Sequence, residues 1–238
     1  MYEIEIQRQG LAKLGSGIDA LDQERQRLAD WLISADDERW SAPTRCELWD
    51  VHDVVAHLAS GELYNQACLR NAIGELGAWV DDEEYNTVHV MRRRHLNHEE
   101  IHREWLTRSD EVHRLWRSMP QDAALATSYG DYLVGMQCWH IASEYATHND
   151  DMGVPVPTEQ QLARMKWRLN FSRFAVIERG IDVRLTPADH GYTRVLSERG
   201  EDMSLSAEDF VAAVSARLPV AGMSPNQEYL VRLLRALL

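Results

Sequence analysis

Cysteine is scarce in this chain. Its three copies in 238 residues, Cys46, Cys68 and Cys138, are too few for a disulfide framework, and no two form a C-x-x-C pair. Thiols used this way are expected to stay reduced, which points to a cytoplasmic protein. Long apolar runs are absent too: no stretch approaches the ~20 residues needed to cross a bilayer. The opening Met1-Tyr-Glu-Ile-Glu-Ile-Gln-Arg has no basic-then-apolar signal pattern, so no membrane partner is expected. Positive charge is short, with 25 Lys and Arg against 38 Asp and Glu, a net charge of −13. A chain this acidic lacks the electrostatic footprint for a phosphate backbone. Its densest basic run, Arg92-Arg93-Arg94-His95, follows the acidic Asp81-Asp82-Glu83-Glu84 and carries no interleaved aromatic side chains. Nucleic acid is therefore not an expected partner, and small molecules remain.

What the chain does have is helical patterning. Hydrophobic residues make up 45 %, enough for a packed core, and the length suits one large domain or a medium one with an appendage. Residues 11–34 place Leu14, Ile18, Leu21, Leu28, Trp31 and Leu32 at helical intervals. Asp50 reads as the N-cap of a second helix that carries Val54, Val55, His57 and Leu58 toward residue 72. Residues 74–77 and the acidic run behind them read as a long connection. Asn97-His98-Glu99-Glu100 is a capping-box pattern that opens a third helix through Trp105, Val112 and Trp116, ended by Pro120. A fourth helix is expected over 132–151, stopped by Gly153, Pro155 and Pro157, and a fifth over 158–178.

After Gly180 the texture changes. Residues 181–185 and 192–196 alternate as strands do, with a turn sequence at 187–191 between them. Residues 203–206 suit a third strand, and 207–218 and 227–238 read as two closing helices. There is no internal repeat. The expected fold is mainly α: a four-helix bundle over 1–178, then a small α+β domain over 179–238.

One stripe on the fourth helix carries chemistry. His140, Glu144 and His148 recur at i, i+4 and stack one turn above another on one face. Two imidazoles and a carboxylate are a common zinc set with one position left open. The same spacing also suits an exposed polar pair on a solvated face. His57 sits in an apolar stretch of the second helix, where a histidine can bond a carbonyl or meet ligands from another helix. His52, His89, His95, His98, His102, His113 and His190 show no such pattern and are expected at the surface. Trp49, Tyr64, Trp139 and Tyr145 suit either a pocket lining or the core.

Two motifs carry a family resemblance. Cys46-Glu-Leu-Trp49-Asp-Val51-His-Asp53-Val-Val-Ala-His57-Leu58 resembles the N-terminal signature of the mycothiol-dependent maleylpyruvate isomerase family, part of the DinB-like group of metal-binding four-helix bundles. Glu144-x-x-x-His148-x-x-Asp151 resembles its second signature, and the small C-terminal appendage suits its two-part layout. The resemblance implies His57, Glu144 and His148 as ligands for Zn²⁺ or another divalent metal. It sets Asp151 beside the site or at the helix end, and leaves His140 as a partner of Glu144 or a rim residue.

The resemblance also implies mycothiol or a similar low-molecular-weight thiol as cofactor. Its thiolate adds to a cis double bond, the new single bond rotates, and elimination gives the trans isomer. In S-transferases the thiolate stays attached to the electrophile. A diacid substrate calls for guanidinium pairing, with Arg184, Arg194 and Arg217 as candidates. Catalytic roles are thus expected at Asp151 and Arg217. Two other readings remain open: a hydrolase using metal-bound water, and a metal-binding stress-response protein without catalysis. The chain is expected to be a monomer or homodimer.

Overall fold

The structure is a computed structural model that describes residues 3–237, apart from the side chain of His190. The first helical pattern splits into α1 (Ile4–Leu14) and α2 (Ile18–Ile33). Gly15 adopts φ +71, and the amide of Gly17 donates to Gly135 O at 3.1 Å. A Cβ at Gly17 would collide with the backbone of Cys138 and Trp139, so glycine permits the close approach that breaks the expected single helix.

A short α3 (Asp37–Trp40) precedes α4 (Val51–Leu69), whose N-cap is Asp50 as expected, accepting from Asp53 N at 2.9 Å. A 3₁₀ turn (Ile73–Leu76) leads to α5 (Asp82–Met91), in the acidic stretch expected to be a connection. Asp81 caps it, and Asp82, Glu83 and Glu84 fill its first turn, where negative charge suits the helix dipole. Tyr85 and Val90 anchor it by burial. Asn97 and Glu100 form the expected capping box of α6 (His98–Ser118).

A hairpin absent from the sequence reading follows: β1 (Ala124–Thr127) pairs antiparallel with β2 (Gly130–Leu133). It delays the start of α7 (Val134–Met152), which ends at the left-handed Gly153. Then come α8 (Thr158–Glu178), β3 (Val183–Pro187), β4 (Thr193–Ser197), β5 (Asp202–Leu205), α9 (Ala207–Val214) and α10 (Pro225–Leu233). The last three strands form one antiparallel sheet in the order β3-β4-β5. The two closing helices are shorter than expected, and the expected end at Leu238 lies outside the described residues.

The chain forms two compact units. One runs from Gly15 to Pro155; the other joins α1 to the residues from Val156 onward. Thus α8, read from the sequence as part of the 1–178 region, packs with the C-terminal elements. Its Ala175 and Val176 share a buried cluster with Val195, Phe210, Leu230 and Leu234.

In the first unit α4 packs on α6 and α2 on α7, with further contacts of α2 on α6 and of α4 and α6 on α7. Leu21, Leu28, Val54, Val55, Ile101, Trp105, Val112 and Trp116 fill its interior. A polar node crosses this core with members from all four of these helices. His113 of α6 donates to Asp22 of α2 at 3.0 Å and to Glu62 of α4 at 3.1 Å. Glu62 also accepts from Tyr145 of α7 at 2.7 Å, and Tyr145 accepts from Trp105 Nε1 at 2.7 Å. His113 is thus a core residue, correcting its expected surface position; His52 and His89 are buried as well. No helix among the described residues is long and apolar enough to cross a membrane.

Candidate metal centre

Two helices deliver the donors. His57 lies on α4, two turns past the Asp50 cap, and Glu144 and His148 lie on α7 one turn apart. His57 Nε2 is 2.7 Å from Glu144 Oε1, and His148 Nε2 is 3.3 Å from the same oxygen. The three donor atoms all lie within 4.8 Å of one another. Tetrahedral zinc with bonds of about 2.0–2.1 Å sets nitrogen and oxygen donors about 3.3 Å apart, so this group fits a divalent ion in both donor type and spacing. Both imidazoles are buried, whereas the Glu144 side chain keeps 40 % of its surface open. The ring of Trp49 lies 5.1 Å from that of His57 and restricts its tilt.

The protonation pattern follows from these contacts. Burial lowers the pKa of His57, against the pull of Glu144, and leaves a neutral ring with a lone pair to donate. Burial opposes charge on His148 also, but hydrogen bonds with Asp151, Cys46 and Glu144 outweigh it and raise its pKa well above the usual imidazole value. Burial pushes Glu144 up, yet the two imidazoles hold it well below the usual carboxylate range.

Asp151 is fully buried and sets its Oδ2 3.2 Å from His148 Nδ1. A carboxylate on that nitrogen holds the proton at Nδ1 and would free Nε2 for an ion between His57, Glu144 and His148, the arrangement that orients metal-binding histidines. The helix end is closed instead by Gly153. Asp151→Asn is therefore expected to weaken zinc binding about 10–100-fold with little change in helix content. Competition with a chromophoric chelator measures this, and unchanged affinity would remove the orienting role.

Cys46, expected to be a reduced thiol and the first residue of the N-terminal motif, also lies here. Its Sγ donates to Asp151 Oδ2 at 3.3 Å and lies 3.7 Å from His148 Nδ1. The motif that contains it was the available signal, but nothing local says which way its loop folds. His140 is half-buried and packs edge-on against Tyr132 at 5.3 Å. Arg217 belongs to the other compact unit, where its Nη1 donates to Ser215 O at 3.1 Å. Arg194 pairs with Asp202, and Arg184 is exposed. Tyr145 is a core residue held by Glu62.

No curated protein matches the chain in sequence. Among solved structures, the crystal structure of the mycothiol-dependent maleylpyruvate isomerase is similar, with a TM-score of 0.58 and 16% identity over 84% of this chain and 88% of that one. A histidine-to-alanine mutant of that isomerase gives a TM-score of 0.57 at 15% identity over the same shares. Likeness at such identity concerns the fold, a mainly helical bundle with a small sheet region. The family model described as the mycothiol maleylpyruvate isomerase N-terminal domain matches residues 21–153, more than half of the chain and the whole stretch from His57 to Asp151, and the chain belongs to that family.

Proposed function

We propose that this protein is a metal-dependent enzyme that uses mycothiol, or a thiol like it, to isomerise or S-conjugate a small electrophile. The observation that carries the reading is the meeting of His57, Glu144 and His148 from two helices, with Glu144 the only one of the three left partly open. Zinc is the proposed ion, since a His₂-carboxylate set is a usual catalytic zinc site. Such an ion supplies one thing: it stabilises a thiolate whose free pKa is about 8.5, making a nucleophile available at neutral pH.

The chain's own residues do the positioning. His57, kept neutral by burial, presents its Nε2. Asp151 fixes the tautomer of His148. Trp49 shields one face of His57. The reduced thiols and a small-molecule substrate suit a cytoplasmic setting.

The test uses protein purified without chelator. It is expected to hold about one divalent ion per chain. Mycothiol at about 100 times its dissociation constant should add about 2.7 kcal/mol of stability, seen as a melting shift of several degrees. Maleylpyruvate added with the thiol should then isomerise, or an S-conjugate should appear by mass spectrometry. Metal-loaded protein that neither gains stability with thiol nor turns over either way refutes the proposal.

A further inference from the structure

Cys46 lies beside the metal ligands but on the wrong side of one of them. The two nitrogens of an imidazole point away from each other. His148 turns Nε2 toward Glu144 and Nδ1 toward Cys46 and Asp151. The thiol therefore cannot complete the His57–Glu144–His148 group. It forms a separate group of its own with His148 Nδ1 and Asp151.

The spacing of this second group is that of a cation site. Sγ to Nδ1 is 3.7 Å, Sγ to Oδ2 is 3.3 Å, and Nδ1 to Oδ2 is 3.2 Å. A tetrahedral ion with a sulfur bond of about 2.3 Å and nitrogen or oxygen bonds of about 2.0–2.1 Å sets such donors about 3.3–3.6 Å apart. The backbone builds the group. Arg45 N donates to Asp151 O at 3.1 Å and ties the loop to the last turn of α7. Thr44 Oγ1 accepts from Cys46 N at 3.1 Å and donates to Trp49 O at 2.7 Å. Trp49 N donates to Cys46 O at 2.9 Å and closes the turn. Asp151 is buried, while Cys46 is partly exposed, which leaves a way in for an ion.

A third cluster, Asp50, His52 and Asp53, is already committed. Asp53 pairs with Arg94 through both oxygens at 3.0 and 2.7 Å, Asp50 caps α4, and His52 bonds Leu96 O at 3.0 Å.

We propose that Cys46, His148 Nδ1 and Asp151 form a second cation site, suited to a thiophilic divalent ion such as zinc or cadmium, that shares His148 with the first. Thiolate and imidazole are the ligands such ions prefer. Filling the site displaces the proton from the Cys46 thiol and the proton from Nδ1, because both donors must be deprotonated at the binding atom. With Nδ1 bound to an ion, Nε2 can serve the first group only as an imidazolate. Occupancy of the two sites is therefore antagonistic, and a thiophilic ion loosens the first ion's hold. The site rests on its own geometry and not on the thiol chemistry proposed above.

Cadmium titration of the metal-depleted full chain tests it, read by the ultraviolet charge-transfer absorption of a cadmium–thiolate bond. The wild type is expected to develop that absorption, and His57→Ala to keep it. Cys46→Ser should lose it while still binding zinc through His57, Glu144 and His148, which also shows that the variant is folded. Asp151→Asn should weaken cadmium binding at least about tenfold. Absence of the absorption in the wild type, or its persistence in Cys46→Ser, overturns the site. Zinc affinity unchanged in His57→Ala would overturn the first metal group and leave this one standing.

Discussion

Zinc affinity is expected to fall about 10²–10³-fold in His57→Ala and again in Glu144→Ala. Zinc bound by four ligands gains about 10–16 kcal/mol, which is about 2.5–4 kcal/mol per ligand. Each 1.4 kcal/mol is about a factor of ten. His57 has the shorter contact with the shared carboxylate, 2.7 Å, and sits in a neutral, buried state ready to donate. Glu144 supplies the negative charge that both imidazoles face. Dissociation constants from chelator competition, with helix content checked by circular dichroism, give the measurement. Loss of less than a factor of ten in both folded variants would mean that the ion sits elsewhere. Acid should also release the metal, because the donors must be deprotonated to bind.

Removing His113 is expected to cost about 3–5 kcal/mol, since it leaves buried carboxylates without their cation. That corresponds to a melting point lower by roughly 6–20 °C. Glu62 is almost fully buried, and His113 is its charged partner. Burial disfavours the imidazolium, but Glu62 and Asp22 outweigh it and raise its pKa to about 9. The sign follows. A histidine whose folded pKa exceeds its unfolded value of about 6.5 adds stability that is fully present below that value and is lost as pH rises through the folded one. The wild type should therefore lose part of its advantage over His113→Ala between pH values near 6.5 and about 9. A constant gap in melting temperature across that range would show that His113 is not charged in the folded state. Tyr145, next to Glu144 on α7, bonds Glu62 on α4, so the same node also pins together the two helices that carry the candidate metal donors.

Local chemistry made several elements legible. The Asp50 cap, the Asn97/Glu100 capping box and the Gly153 stop appear where the sequence places them, because each satisfies backbone groups within one turn. The i, i+4 spacing of Glu144 and His148 likewise holds on any helix. α5 was hidden because an acidic, polar stretch resembles a loop until Tyr85 and Val90 find a surface to bury against. The β1–β2 hairpin was hidden because neither Ala124–Thr127 nor Gly130–Leu133 alternates apolar and polar residues. His113 was misplaced because its neighbours in sequence say nothing of Asp22 and Glu62, 91 and 51 residues away.

By itself the sequence determined the helical class, the absence of a basic or apolar surface run, and which residue types could bind a metal. Propensity, capping and periodicity act over a turn or two, and those features need nothing more. Only the tertiary structure decided which donors meet. His57 and Glu144 lie 87 residues apart, and Cys46 and His148 lie 102 apart. Such pairs depend on how α4 and α7 pack and on which edge of the His148 ring each neighbour reaches. Packing also set the charge of His113, because the field of two carboxylates exists only once the four helices have closed around them.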